Sequence, residues 1–184
     1  MNSRILAFAA VIALAACVVQ PAPQGPHAQS PDGEGDGEGP PEGIDDGDGP
    51  SGEMETVGTV VCTGSNDIEV INKIVEADGD GVSLMGSCNV RIIDSEIRVG
   101  GTGISVAGSG EVEVINSTIT ADGWAISIAG SGEVRLENSN VAGGAGAISI
   151  AGSGDVSATN TSFAGSRSIA GSGEFRDGGG NTWK

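Results

Sequence analysis

Short runs in which apolar and polar residues alternate recur along this chain at a fixed interval. The stretch AISIAGSGEV begins at Ala125, AISIAGSGDV follows 22 residues later, and GISVAGSGEV precedes it by 22 residues. Strict alternation over a few residues is typical of a strand that buries one side, and each run ends at glycines that favour a turn. Self-similarity at a fixed period predicts a solenoid in which each repeat forms one coil.

Stacking the chain at this interval places residues of the same kind above one another. Gly-Ser pairs mark the coils at Gly64, Gly86, Gly108, Gly130 and Gly152, and a shortened interval leads to Gly171. Five columns are apolar and are predicted to face inward. Two of them are Ile68, Val90, Val112, Val134, Val156 and Val70, Ile92, Val114, Leu136, Ala158. The others are Val75, Ile97, Ile119, Val141, Phe163, then Val82, Ile104, Ile126, Ile148, and Leu84, Val106, Ile128, Ile150.

These columns predict an all-β solenoid of about five coils. Each coil contributes one short strand to each of three parallel sheets, and at ~4.8 Å per coil the rod is roughly 24 Å long. The segment TVGTVVCT before the first coil is interpreted as an incomplete starter strand. At the other end the pattern breaks, and Phe175 and Trp183 are predicted to cover the last layer of the core.

The segments VEVINSTI and VRLENSNV resemble the repeat of right-handed parallel β-helix proteins, and the likeness extends from Thr56 to Lys184. Both segments contain an asparagine from a column of amide and carboxylate side chains. The column is Asn72, Asp94, Asn116, Asn138 and Asn160. Parity along the strand predicts that it points inward and forms a structural ladder between coils; the alternative is that these residues bind a ligand.

The N-terminus has a different character. Residues 1–4 carry one positive charge, and residues 5–14 are almost wholly apolar, as in a signal peptide. This run is too short to span a bilayer as a mature helix. The sequence LAAC that follows, ending at Cys17, resembles the lipobox of bacterial lipoproteins.

The lipobox resemblance implies that residues 1–16 are a signal peptide and that Cys17 becomes the lipidated N-terminal residue of the mature chain. The thiol would carry a diacylglycerol, and its new amino group would be a further site of acylation such as palmitate. Several acyl chains anchor a protein firmly in a membrane. Val18 stands where inner-membrane retention favours aspartate, which points to the outer membrane, on its periplasmic side or at the cell surface. An ordinary secretory signal is the alternative.

Residues 17–55 are predicted to be a disordered linker. From Val18 to Glu55 the chain is rich in proline and glycine and holds ten carboxylates but no lysine or arginine. It has too few apolar residues to offset the entropy of ordering. No EF-hand spacing occurs in its acidic run. The predicted organisation is therefore a signal peptide (1–16), a lipidated linker (17–55) and a β-helix domain (56–184).

The charge of the chain limits its partners. The formal net charge is −17 at pH 7. Nucleic acid and anionic lipid headgroups repel such a chain, so neither is predicted as a partner.

Outward columns of charged residues are the candidate binding features. One column alternates in sign, with Glu69, Arg91, Glu113 and Arg135, and predicts a ladder of exposed ion pairs. A second contains Asp67, Asn89, Glu111, Glu133, Asp155 and Glu174. We favour splayed, solvated carboxylates there, and a weak calcium site between Glu111, Glu133 and Asp155 is the alternative. A third, Ile71, Ile93 and Ile115, forms a small apolar stripe.

Once Cys17 carries lipid, two cysteines remain. Stacking places Cys62 and Cys88 one coil apart and four residues around a turn, so that a disulfide and a pair of buried thiols are both open interpretations.

Many β-helix proteins are polysaccharide lyases or hydrolases, so catalysis has to be considered. The chain has no Tyr and only two Trp and three Phe for stacking on sugars, and its one histidine, His27, lies in the linker. No nucleophile–base set or zinc-ligand cluster can be assembled in the repeats. We predict a non-catalytic, membrane-tethered module without a cofactor, whose partner is an envelope protein or a polysaccharide. The alternative is a glycan-binding or lyase-like β-helix that uses the acidic column with calcium.

Overall fold

The computed structural model describes residues 53–184. This part of the chain forms nineteen short strands and no helix. The strands form three parallel sheets, which we call A, B and C, and the chain passes through the sheets in that order in every turn.

Each strand pairs with the strand three places before it and the strand three places after it. Sheet A contains β1 (Glu55–Val57), β4 (Lys73–Ala77), β7 (Glu96–Val99), β10 (Thr118–Ala121), β13 (Asn140–Gly143), β16 (Ser162–Ala164) and β19 (Thr182–Trp183). Sheet B contains β2 (Val60–Gly64), β5 (Val82–Gly86), β8 (Ile104–Val106), β11 (Trp124–Ile128), β14 (Gly146–Ile150) and β17 (Arg167–Ile169). Sheet C contains β3 (Asp67–Ile71), β6 (Asn89–Ile93), β9 (Glu111–Ile115), β12 (Glu133–Glu137), β15 (Asp155–Thr159) and β18 (Phe175–Asp177).

The parallel β-solenoid predicted from the repeat is confirmed, with six turns followed by β19 instead of about five coils. The five predicted coils correspond to β3 through β17. The starter segment adds β1 and β2, because Val57, Val60 and Cys62 continue the apolar columns in register. The C-terminal segment adds β18 and β19 beyond the shortened last interval.

The core consists of the five apolar columns, which pair in the predicted register. Every member except Ile68 is at most 3% exposed. Ile68 lies in the first turn of the described residues and is half-buried. The alternation of the sequence therefore identified the inward side of each strand correctly.

The predicted inward position of the asparagine column is wrong. Its members are exposed and have φ between 49° and 52°, the left-handed region; they are Asn72, Asp94, Asn116, Asn138 and Asn160. Asparagine and aspartate are the side chains that enter this region most readily besides glycine. The left-handed residue turns the chain from sheet C into sheet A and interrupts the alternation, so that the next residue is the buried one.

A ladder of hydroxyl groups occupies the buried position after four of these five corners. It consists of Ser95, Ser117, Ser139 and Thr161. The Ser117 hydroxyl accepts a hydrogen bond from the Ser95 backbone N–H at 3.0 Å and donates one to the Ile115 carbonyl at 2.7 Å. These bonds satisfy backbone groups that the turn leaves unpaired.

The glycines at the corner between sheets B and C are required by the contact between turns. A side chain at Gly108 would overlap the carbonyl oxygen of Gly86, and one at Gly130 would overlap that of Gly108. Only Gly64 and Gly86 among the repeated corner glycines adopt positive φ. The recurrence of AGSG thus reflects the close stacking of successive turns more than an unusual backbone conformation.

Candidate functional site

The outward faces of sheets B and C differ in charge. In sheet B the central outward column carries no charge in any turn; it is Val61, Ser83, Ser105, Ser127, Ser149 and Ser168. In sheet C the corresponding column begins with Glu69, Arg91, Glu113 and Arg135. The charged face of sheet C is therefore the main polar surface from which a binding site could be built.

The alternating column forms ion pairs as predicted at its N-terminal end. The Arg91 guanidinium lies 2.9 Å from a Glu113 carboxylate oxygen and 3.4 Å from one of Glu69. The hydrogen bond to Glu113, with the charge of that carboxylate, raises the pKa of Arg91 above its ordinary value. Exposed pairs of this kind contribute little to stability, but they favour one register of the turns.

The three candidate calcium ligands lie side by side in one column, and each carboxylate forms an ion pair with an arginine. Glu111 pairs with Glu133, and Glu133 with Asp155, in the strand register. Arg135 Nη2 lies 3.0 Å from Glu133 Oε1 and 3.5 Å from Glu111 Oε1. Arg176 Nη2 lies 3.0 Å from Asp155 Oδ2. Within residues 53–184, no three His, Cys, Asp or Glu side chains converge closely enough to hold a metal ion.

We expect the melting temperature to respond to calcium no more than to sodium at matched ionic strength. A bound ion at a hundredfold excess over its dissociation constant would stabilise the fold by about 2.7 kcal/mol and raise the melting temperature by several degrees. Thermal unfolding of the unmodified chain, Glu133→Gln and Glu137→Gln measures this, because Glu137 lies on the same strand outside the column. A calcium-specific rise that only Glu133→Gln abolishes would contradict the prediction.

An open groove of ≈ 650 Å³ lies where the strands β4, β7 and β10 of sheet A end. Its polar lining includes Glu76, Asp78, Asp122 and Arg98. The Arg98 guanidinium forms a two-point ion pair with Glu96 beside the groove. The sequence analysis did not identify this groove, because its walls come from three successive turns.

The comparison with protein families identifies the fold class. The sequence model described as right-handed β-helix region matches residues 58–173. The chain belongs to the right-handed β-helix family. No curated protein and no solved structure matches its sequence.

Membership of the β-helix family gives the architecture and leaves the activity open, because its members include both enzymes and proteins without catalytic activity. The match ends at Gly173, just before the β18 strand. The strands β18 and β19 therefore lie outside the matched region.

The two cysteines of the β-helix are joined. Cys62 in β2 and Cys88, at the corner after β5, form a disulfide with their Cα atoms 6.1 Å apart. Both residues are at most 1% exposed. The bond links the first turn of the described β-helix to the second.

The apolar stripe of sheet C is small. Ile71 is 43% exposed, while Ile93 and Ile115 are half-buried. Glu137 and Thr159 follow them in the register. The stripe covers three turns and then gives way to polar residues.

The asparagine corners are sites at which the backbone adopts the left-handed conformation. Asn116 has φ 51°, and its amide donates to Asp94 at 3.2 Å on the surface. We expect Asn116→Ala to lower the free energy of unfolding by about 1 kcal/mol, because the alanine side chain is sterically disfavoured in the left-handed region. Asn116→Gly should leave the free energy of unfolding nearly unchanged, because glycine adopts this conformation freely. Urea denaturation compares the two. Equal losses in both variants would show that the amide contact, and not the backbone conformation, is what matters.

Cys17 and the predicted signal peptide and linker lie outside the described residues, except for the last three linker positions, 53–55. The β1 strand already includes Glu55. Residues 53–184 include no helix of the length and hydropathy needed to cross a membrane.

Proposed function

We propose that this chain is a lipid-anchored, non-catalytic β-helix of the bacterial outer membrane that serves as a structural or binding module of the cell envelope. The observation that carries the proposal is the brevity of its connections. Within residues 53–184, no connection between consecutive strands is longer than five residues. β-Helix enzymes need inserted loops to form the walls of a cleft, and a rod with minimal turns offers flat faces instead.

Three further features support this proposal. The charged side chains of sheet C are largely engaged with one another, as in the pairs of Arg91 and Arg135. The buried disulfide between Cys62 and Cys88 fits a protein that folds in an oxidising compartment, as exported proteins do. The LAAC sequence ending at Cys17 supplies the anchor.

Replacing the lipidation residue tests the anchor. We expect Cys17→Ser to leave an unprocessed or soluble chain, because the sulfur that receives the lipid is missing, whereas the unmodified chain stays with the outer membrane after a carbonate wash. Val18→Asp is the matched control: it keeps the cysteine and is expected to move the lipidated protein to the inner membrane. If Cys17→Ser still fractionates with the outer membrane, the lipoprotein assignment is wrong.

Binding is tested separately. Retention on immobilised polysaccharides, with calcium and with chelator, distinguishes a passive module from a glycan-binding β-helix. Calcium-dependent retention or depolymerisation of a polysaccharide would favour the glycan-active alternative. Surface proteolysis of intact cells, combined with affinity capture, then determines on which side of the outer membrane the β-helix lies and which envelope component it contacts.

A further inference from the structure

The three sheets of the β-helix do not contain the same number of strands. Sheets B and C contain six strands each, and sheet A contains seven. The additional strand is β19, which pairs with β16 through Ser162–Thr182 and Phe163–Trp183. Without β19 the chain would consist of six complete turns, each passing through sheets A, B and C.

Six complete turns make the rod complementary to a second copy of itself. In the helical order, β1 of a second copy would follow β16, its β2 would follow β17, and its β3 would follow β18. Among residues 53–184, no strand pairs with the other backbone edge of β1, β2 or β3. Such an edge is a template for strand addition.

The inward residues of the first turn are also suited to this contact. They are apolar and continue the core columns; they are Val57, Val60, Cys62, Ile68 and Val70. Val57, Val60 and Ile68 are partly exposed, and no described turn precedes them. A neighbouring turn at the usual strand spacing of about 4.8 Å would cover them.

The β19 strand occupies the place that β1 of the second copy would take. Its Trp183 ring stacks on the buried Phe163 ring with the centroids 4.3 Å apart and the planes 15° from parallel. Val57 of a second copy would have to lie in that position. The chain therefore satisfies the open edge of sheet A with its own residues.

Inward charges protect the other two sheets. Arg167 in β17 lies in the column of Ile148, and Asp177 in β18 lies in the column of Ala158. A second copy would bring Val60 against Arg167 and Val70 against Asp177. Both charges would then lose water without gaining a partner, which is strongly unfavourable.

Both charges are accommodated at the end of a single rod. The Arg167 guanidinium lies 4.7 Å from the centre of the Phe175 ring and 5.4 Å from that of Trp183. The Asp177 carboxylate accepts hydrogen bonds from the Gly179 N–H at 2.8 Å and from the Asn181 amide at 2.6 Å. These contacts stabilise the charged residues only while the end faces water.

We propose that Arg167, Asp177 and residues 178–184 form a cap that prevents a second copy from adding its first turn, and that the rod without this cap assembles end to end. The contact would be heterologous and would not close, so it would produce linear chains of rods. Contact between two N-terminal ends is opposed by the carboxylates of Glu55, Asp67 and Glu69 on the first turn.

Removing the cap tests the proposal. The uncapped variant is the full chain with Arg167→Ile, Asp177→Val and deletion of residues 178–184. It is compared with the unmodified chain in the same detergent. Sedimentation velocity should show one monomeric species for the unmodified chain, and for the uncapped variant an average mass about twofold or more higher that grows with concentration. A folded uncapped variant, with a cooperative thermal transition, that remains monomeric would overturn the proposal.

Two further substitutions locate the contact. Adding Ile68→Lys to the uncapped variant places an inward charge on the first turn and should restore the monomer. Adding Ser127→Lys, on the uncharged face of sheet B, should leave the oligomers intact. Oligomers that persist with Ile68→Lys, or that disappear with Ser127→Lys, would show that another surface associates and would overturn the proposal.

A milder variant keeps the test decisive if the uncapped chain does not fold. Deleting residues 178–184 alone removes β19 and retains both inward charges. Because Arg167 and Asp177 still oppose a second copy at sheets B and C, this variant should stay monomeric. A folded deletion variant that associates would show that the inward charges do not protect these two sheets and would overturn the proposal.

Discussion

Replacing Ile126 with aspartate is expected to lower the free energy of unfolding by about 3–5 kcal/mol, enough to unfold many domains of this size. Ile126 is fully buried, and in the register it lies between Ile104 and Ile148. A carboxylate there would find no hydrogen-bond donor or cation, because the neighbouring turns present aliphatic side chains at the same position. The loss combines the removed apolar contacts with the desolvation of a polar group.

The neighbouring position provides the control. Ser127 follows Ile126 in β11, faces outward and is half-buried at the surface. We expect Ser127→Asp to change the free energy of unfolding by less than about 0.5 kcal/mol, since a charge there stays hydrated. Urea denaturation followed by circular dichroism measures both variants. Equal damage from the two substitutions would contradict the assignment of inward and outward sides in sheet B.

Removing the disulfide is expected to cost about 3–4 kcal/mol. Cys62 and Cys88 are 26 residues apart in the sequence, and a cross-link that closes a loop of this size restricts the unfolded chain by roughly that amount in the chain-entropy model. The Cys62→Ala, Cys88→Ala double variant tests this against the unmodified protein in urea. Thr63→Ala, next to Cys62 but exposed, should lie within about 0.5 kcal/mol of the unmodified chain.

Hydrogen exchange shows where the stability is lost. Within residues 53–184 the strands of the first turn pair only with those of the second. Without the disulfide, β1–β3 should therefore exchange faster than the central turns, whose amides stay protected. A uniform increase across all three sheets would mean that the bond acts only on the unfolded state. An unchanged midpoint in urea would mean that the disulfide contributes nothing to the fold.

Much of this architecture could be predicted from the sequence, because its two periods are both simple. The alternation of two residues within a strand determined which side chains face the core, as for Ile126 and Ser127. The interval of 22 residues determined the pairing of strands, so that columns such as Ile104, Ile126 and Ile148 lie in register. Both rules hold because each turn repeats the geometry of the turn before it.

The alternation rule fails where the backbone leaves the extended conformation. Asn116 was placed inward by counting from Val114, but its left-handed conformation exchanges the inward and outward positions, and Ser117 is buried in its place. The signal was present in the sequence, because a hydroxyl residue directly follows the corner in four successive turns. Recognising it requires knowing that asparagine at a repeated corner takes the role of glycine.

The acidic column shows a second limit of prediction from the sequence. Its register was predictable, since Glu111, Glu133 and Asp155 follow the interval. The choice of partner was not, because a long arginine side chain can reach along its own strand or across to the next turn. Arg135 contacts Glu133 and Glu111, which lie in the adjacent column, and not Glu113 in its own. Rotamer and solvent exposure decide this, and neither repeats with the sequence period.

The position of the disulfide also has a mechanical consequence. Any pulling force that enters the rod from its N-terminal side acts first on β1, a strand of three residues held by one neighbour. The chain can detach from the second turn as far as Val61, but at Cys62 the disulfide joins it covalently to Cys88. The nine residues from Glu53 to Val61 extend by no more than about 30 Å. Beyond that extension the force is carried by a covalent bond to the second turn, and the remaining strands are protected from unzipping one by one.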